Sequence, residues 1–377
     1  MFAKFALVCM ATVLVANSSI AWAVESIKFG QVSEITGPNA EAGANSVNGA
    51  KLAVDEINKA GGILGAQVEL KIEDNQSTNP GSVLALTKLT SEGNISALIA
   101  PVRSTQVHAT APTIAKLGLP TMIGGTDYGL THPANPWFFR ARPNDSFSAK
   151  VIVDFGVNTL NKKKWAIIYS TDAFGAGGKN MLVEELKALG ITAVLLQGYT
   201  NNTQDFTPVV LAVKQSGADI IASYTPFSTD AAILATQMRQ LGVTTPWIGS
   251  ATLASDSTLR LAKEALFDTY SVADFFVDAS PESQAFAKKY KQTFGRDADF
   301  FASWSYDAVH ILALAMNQAK STKPDAVRKQ ILAIRGFKGA EGTYNFDQNG
   351  DGLHGYNVVK NVKGSIVFVK HTEFPSN

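Results

Sequence analysis

Short apolar runs alternate along the chain with longer segments whose apolar residues recur at helical spacing. Residues 27–32 predict a strand. Residues 46–60 predict a helix, with Val47, Ala50, Leu52, Ala53, Val54 and Ile57 on its apolar side and Gly61-Gly62 as its stop. Residues 68–73 alternate apolar and charged, as a half-buried strand does. The rhythm continues through helix 82–92 (opened by Asn79-Pro80-Gly81), strand 95–100, helix 105–117 and strand 119–123. It restarts beyond residues 140–144 with helix 146–160, strand 165–169 and a glycine-rich loop 174–178 leading into a helix that ends at Leu189. Strand 192–196, helix 208–216, strand 219–224, helix 229–241 and a strand from Trp247 follow.

This alternation predicts an α/β protein with doubly wound parallel sheets flanked by helices. A chain of about 350 structured residues is too long for one such sheet, so two Rossmann-like lobes are expected. The natural passage between them lies near Arg142-Pro143. Helices at 280–294 and 303–319 need a sheet to cover, which returns the chain to the first lobe. The expected partition is 24–142 with 274–348 for the first lobe, and 143–273 with 349–377 for the second. In open α/β sheets, ligands bind beyond the carboxyl ends of the strands. Two lobes presenting those ends to each other form a cleft that closes by hinge motion. The candidate cleft loops are 33–43, 101–105, 124–128, 171–178, 225–230 and 249–255.

Residues 1–23 read as an export leader. Lys4 precedes the apolar run 5–15, and Ala21-Trp22-Ala23 fits the small-x-small cleavage pattern. The run is too short to span about 30 Å of hydrocarbon. Cleavage there removes Cys9, the one cysteine, so the exported protein has no disulfide framework. The whole chain holds 33 Lys plus Arg against 32 Asp plus Glu. That balance offers no field for nucleic acid or an acidic membrane surface. The expected state is a monomer in the periplasm.

Catalytic patterns fail when tested position by position. Gly175-Ala176-Gly177-Gly178-Lys179 follows a strand, but a dinucleotide fingerprint needs glycine where Asn180 stands, and a Walker A loop needs it at Ala173. Residues 347–352 resemble the start of an EF-hand loop, yet its twelfth position is Val358 instead of Glu, so a turn between strands 342–346 and 355–359 is expected. The five histidines are scattered, and no sequence signal orients His108 with a carboxylate. No nucleophile elbow or zinc helix motif occurs. A binding protein without cofactor or metal is the expectation, and not an enzyme.

Two stretches carry a family resemblance: IKFGQVSEITGP at 27–38 and NGAKLAVDEINKAGGILG at 48–65. EDN at 73–75, DAFG at 172–175, DF at 205–206 and FDQNGD at 346–351 extend it in order through nearly the whole exported chain. The chain resembles the branched-chain amino-acid-binding proteins, the Leu/Ile/Val-type solute receptors of ABC importers. The resemblance implies a type I periplasmic-binding fold, with three crossovers and a ligand trapped between the lobes. It implies a membrane permease as partner and a small carboxylate-bearing molecule as ligand.

By the same resemblance, Ser104 binds the ligand carboxylate, with Thr105 beside it at a helix start where amides and the helix dipole favour anions. A plain N-cap serine has the same sequence signature. Gly125 and Thr126 make a second contact, where glycine admits a close approach to backbone. Phe174, and Tyr224 or Phe227, supply aromatic surface from the second lobe, and Arg103 offers a cation. Two positions depart from the amino-acid binders: Ala42 replaces an aromatic, and Ala251 replaces the glutamate that pairs with the ligand ammonium. Either Asp127, Asp230 or Glu41 substitutes for that glutamate, or the ligand is an aromatic or other organic acid without an α-ammonium. A ligand sensor acting on a regulator is a further alternative within this fold.

Overall fold

The structure, a computed structural model, describes residues 25–91 and 93–376; the leader reading and Cys9 lie outside these residues. The chain starts with β1 (Ile27–Ser33), α1 (Ala40–Lys59), β2 (Val68–Asp74), α2 (Asn79–Ser91), β3 (Ile95–Ile99), α3 (Ser104–Leu117), β4 (Thr121–Ile123) and β5 (Phe138–Pro143). It passes to the second lobe through α4 (Asp145–Asp154), β6 (Trp165–Ser170), α5 (Ala173–Ala188), β7 (Leu195–Tyr199), α6 (Thr207–Ser216), β8 (Ile220–Tyr224), α7 (Ser228–Gln240), β9 (Trp247–Gly249), α8 (Asp256–Ala262) and β10 (Tyr270–Ala273). It returns with α9 (Pro281–Phe294), α10 (Phe300–Ala319), α11 (Pro324–Ala333), β11 (Phe337–Lys338), β12 (Thr343–Tyr344) and β13 (Asp351–Leu353). It ends in the second lobe with β14 (Gly355–Val362) and β15 (Ser365–Glu373).

Six strands make the first sheet in the order β13-β5-β4-β3-β1-β2, all parallel. Seven make the second, β15-β14-β10-β9-β8-β6-β7, with β14 and β15 the antiparallel additions. Three crossovers therefore join the lobes, after β5, β10 and β13. Because Asp351 pairs with Arg140 of β5, the first sheet runs past the sequence-based boundary at 348. The α10 helix covers the first sheet beside α1, with Phe301, Trp304, Ile311 and Leu312 fully buried between them. Burying each such side chain contributes about 1.5–3 kcal/mol.

Four elements differ from the sequence pattern, three of them for identifiable reasons. Helix α1 begins six residues early, because its first turns pack through small residues with little hydrophobic signal. Gly43 sits so close to β1 that a Cβ there would lie 2.0 Å from the Glu34 carbonyl oxygen. Residues 174–178 are helical, inside α5. Gly175 and Gly178 serve close packing instead of a turn, since a Cβ on Gly178 would lie 2.2 Å from the Tyr224 ring. Strand β7 lies three residues later than the apolar run at 192–196 suggests. Strand β5 was hidden by its arginines, which are both buried. Arg140 donates to Asp351 at 2.8 Å, the Gly125 carbonyl at 2.8 Å and the Thr131 hydroxyl at 2.7 Å.

Residues 347–350 form a turn, as expected, but it leads into β13 of the first sheet, and the expected partner strand at 355–359 is β14 of the second. The Asp347 carboxylate accepts from the amides of Asn349 and Asp351, each at 2.9 Å. Among the described residues, no group of three His, Cys, Asp or Glu is placed to hold a metal ion, and no helix is long and apolar enough to cross a membrane.

Candidate ligand-binding site

The strand ends of the two lobes face a cavity of about 510 Å³, part of it open to solvent. Lobe one contributes Arg103, Ser104 and Thr105 at the start of α3, Thr126 after β4, and Phe300 and Phe301 at the start of α10. Lobe two contributes Asp172 and Phe174 at the start of α5, Ser250, Ala251 and Thr252 after β9, and Tyr356 of β14. Arg142 and Asp145 flank the first crossover and also line the wall, as does Ser148 of α4.

One end of this cavity suits an anion. The α3 N-cap is Arg103, whose side chain makes no cap bond, so Ser104 is the first helical residue and not a plain N-cap. Ser104 is buried, and its Oγ accepts from the Asp127 amide at 3.1 Å, which leaves the hydroxyl proton free to donate. Thr105 Oγ1 is buried without a partner. The first amides of α3 have no intrahelical acceptor, and the helix dipole is positive there.

A carboxylate stands at the same wall. Asp145 is buried; its amide donates to the Thr126 carbonyl at 2.8 Å, and its Oδ2 has no hydrogen-bond partner. Burial pushes its carboxyl up to about 7 and the charge of Asp127 adds to this, while Arg140, the Thr126 hydroxyl and Arg142 act in the opposite sense. Arg142 is already committed: it donates to Asp274 and to the Gly124 carbonyl, and it lies 4.4 Å from the Phe300 ring centroid. The Ser148 hydroxyl donates to Asp145 Oδ1 at 3.4 Å, so Oδ2 is the oxygen left open in a wall that also holds the Ser104 and Thr105 hydroxyls.

The lobes are closed over this space. The Arg103 guanidinium reaches across to the Pro226 carbonyl while holding Glu34 and Asn39 on its own side, each at 3.3 Å. It also lies 5.1 Å from the Phe227 ring centroid and 5.3 Å from that of Phe301. Arg260 of α8 pairs with Glu41 of α1, which Arg296 also holds.

Of the residues named from sequence, Arg103, Ser104, Thr105, Thr126 and Phe174 line the cavity. Gly125 is adjacent to the wall, with its carbonyl turned to Arg140. Tyr224 lies behind Phe174, 5.4 Å between ring centroids, and its hydroxyl bonds to Ser148. Phe227 packs under Arg103.

The three acids offered as substitutes for the missing glutamate are elsewhere. Asp127 binds His108 Nε2 at 2.6 Å and the Gly129 amide at 3.1 Å, which also gives His108 the carboxylate partner that sequence did not reveal. Asp230 is fully buried and accepts from the Asn202 amide at 3.0 Å. Glu41 belongs to the arginine pair. Ala251 does face the cavity, whereas Ala42 is buried inside α1 and does not.

Sequence reasoning missed Asp145, Phe300 and Phe301, whereas Ser250 and Thr252 lie in the expected cleft loop 249–255 without having been named singly. Asp145 carried one usable signal: it follows the Arg142-Pro143 crossover, and a crossover between facing lobes runs beside their cleft. Phe300 and Phe301 carried none, because the approach of α10 to the cleft depends on the second crossover.

Residues 26–365 match the model of the periplasmic binding protein family, and the chain belongs to that family. Its two lobes and three crossovers have the type I arrangement. The Leu/Ile/Val-binding protein homolog 1 of Brucella suis biovar 1 is 26% identical over 363 residues, 96% of this chain and 96% of that one. The branched-chain amino acid transporter substrate-binding protein LivJ of Streptococcus pneumoniae, solved in complex with isoleucine, superposes with a TM-score of 0.85. It is 26% identical and covers 93% of this chain and 100% of its own. A solute-binding protein of an R. palustris ABC transporter, solved in complex with benzoate, has a TM-score of 0.84. It is 18% identical over 92% of this chain and 96% of its own, a likeness of fold alone.

Proposed function

We propose that this protein is the periplasmic receptor of an ABC importer and captures a branched-chain-type amino acid between its lobes. The ligand carboxylate binds the Ser104 and Thr105 hydroxyls and the first amides of α3. Its ammonium binds Asp145, which takes the place of the glutamate absent at Ala251. Phe174, Phe300 and Phe301 surround the side chain. The observation that carries this reading is the unpartnered Asp145 Oδ2 in the wall that also holds the unpartnered Thr105 Oγ1. A buried charge left without a partner is costly, so a ligand supplying an ammonium gains more there than a simple acid does.

The protein acts by binding, as a monomer, and carries no chemistry of its own. Closure buries the ligand and forms the surface that a membrane permease recognises. Residence in the periplasm is the reading the family supports, and a leader at residues 1–23 would be its export signal. The test is calorimetric titration with leucine, isoleucine and valine, set against benzoate and the matching 2-keto acids. Binding of the amino acids and not the acids supports the reading. Binding of benzoate or keto acids alone overturns it in favour of an organic-acid receptor.

A further inference from the structure

A second cavity lies at the crossovers and shares no lining residue with the ligand cavity. It encloses about 1830 Å³ including its open mouth. Its wall comes from the segment after β10 (Asp274, Phe276, Asp278), from Glu341, from the third crossover, and from β14 and β15.

The groove is acidic at its base and apolar at its side. Asp274 and Glu341 are both buried, and one oxygen of each, Asp274 Oδ1 and Glu341 Oε2, has no hydrogen-bond partner. Asp278 and Glu373 add two more acids. His371 is held between Asn357 at 2.9 Å and Glu373 at 3.2 Å, and no lysine or arginine is among the described lining residues. One buried guanidinium, Arg142, serves both acids: it donates to Asp274 and acts on Glu341 only through space. Burial and the Asp274 charge hold the Glu341 carboxyl well above the usual range, as expected of two acids sharing one cation. Ile366, Val367 and the tilted ring pair Phe276–Phe368, 5.9 Å between centroids, form the apolar side. Phe368 is 44% exposed, an uncommon place for a phenylalanine with nothing to cover it.

We propose that this groove is a second binding site, for a small organic ammonium ion with an apolar body. The ammonium sits against Asp274 and Glu341, and the body lies on Phe276 and Phe368. Among the described residues, no three of these acids and histidine are grouped closely enough to hold a metal ion. Because Arg142 joins Asp274 to the wall of the ligand cavity, the two sites are energetically linked. The amine and the cleft ligand then change each other's affinity by the same factor.

The probe is 2-phenylethylamine, with 2-phenylethanol as its uncharged counterpart, titrated calorimetrically into the purified protein. The amine should bind roughly tenfold or more tightly than the alcohol. Its affinity should persist in Asp145→Asn, which removes the cleft's cation partner. Glu341→Gln and Phe368→Ala should each weaken it severalfold or more, and Phe368 is exposed enough that its loss leaves the fold intact. Equal binding of amine and alcohol, no binding of the amine, or loss of binding in Asp145→Asn overturns the proposal. So does an affinity unchanged by both groove substitutions. Amino acid binding is read separately, so failure of the groove leaves the cleft reading standing, and the reverse also holds.

Discussion

Replacing Asp145 by asparagine separates what this carboxyl does for the ligand from what it costs the fold. In the empty cavity, burial raises it from 3.8 to about 7. A folded-state value above the unfolded one means that the fold favours the protonated form. Stability from this group is therefore fully present below about 4 and is lost as pH rises towards 7, amounting to about 4 kcal/mol. Asparagine removes the titration, so at pH 8 the empty variant should unfold at a higher temperature than wild type. Ligand binding should move the other way. Truncating one partner of a buried charge pair costs about 2–5 kcal/mol, or roughly 30-fold to several-thousand-fold in Kd. The pH dependence identifies the group. Below about 7 the carboxyl must give up its proton to receive an ammonium, so wild-type affinity for leucine should fall by about tenfold per pH unit. In Asp145→Asn that slope should vanish. Calorimetry on both proteins between about pH 5 and 8, with thermal unfolding of the empty forms, reads all three quantities. A leucine affinity that Asp145→Asn leaves unchanged across this range refutes the role assigned to the residue.

Ser104→Ala removes a hydroxyl that faces the ligand carboxylate and should weaken amino acid binding by about 1–3 kcal/mol in calorimetry. Gly177→Leu should hold the lobes apart, because even a Cβ there would lie 2.7 Å from Asp127 Oδ1 across the cleft; small-angle scattering should show a larger radius of gyration and titration a weaker ligand. Glu41→Gln cuts the tie to Arg260 at the rim, a partly exposed pair contributing up to about 1 kcal/mol, and should shift the empty protein towards the open form in scattering at low salt. Although burial opposes it, the bonds from Arg260 and Arg296 hold the Glu41 carboxyl below its ordinary value. The tie should therefore persist through neutral pH and loosen only as pH falls through that lowered value.

Local patterning was enough for the architecture. Strand β1, strand β2 and the body of α1 are readable because their apolar spacing has one period over a long stretch, and the alternation of such units dictates parallel sheets. Two lobes follow from length alone. That Ser104 opens a helix at the cavity was also readable, because serine, helix and preceding strand are contiguous in sequence, while its carboxylate role came from the family resemblance and stays part of the proposal. Backbone glycines were legible as positions but not as purposes. Gly175 and Gly178 look like a loop, and only the packing of α5 on Ser170 and Tyr224 shows why a helix needs them.

Tertiary structure decided everything that depends on residues far apart in the chain. Strand β5 holds two arginines that interrupt its apolar pattern, and they are buried because Asp351 and Asp274, more than a hundred residues away, neutralise them. The acid for the ammonium was sought near Thr126 and after β8, yet Asp127 is taken by His108, and Asp230, whose Oδ1 also lacks a partner, does not line the cavity. Asp145 keeps one unpartnered oxygen, Oδ2, in the cavity wall because the first crossover carries it there. A charge reveals its role by the partners it lacks, and partners are assigned by the fold. The sequence determines which elements form and which helix starts follow a strand end; the packing of two lobes determines which of those starts and which buried carboxyls share a cavity wall.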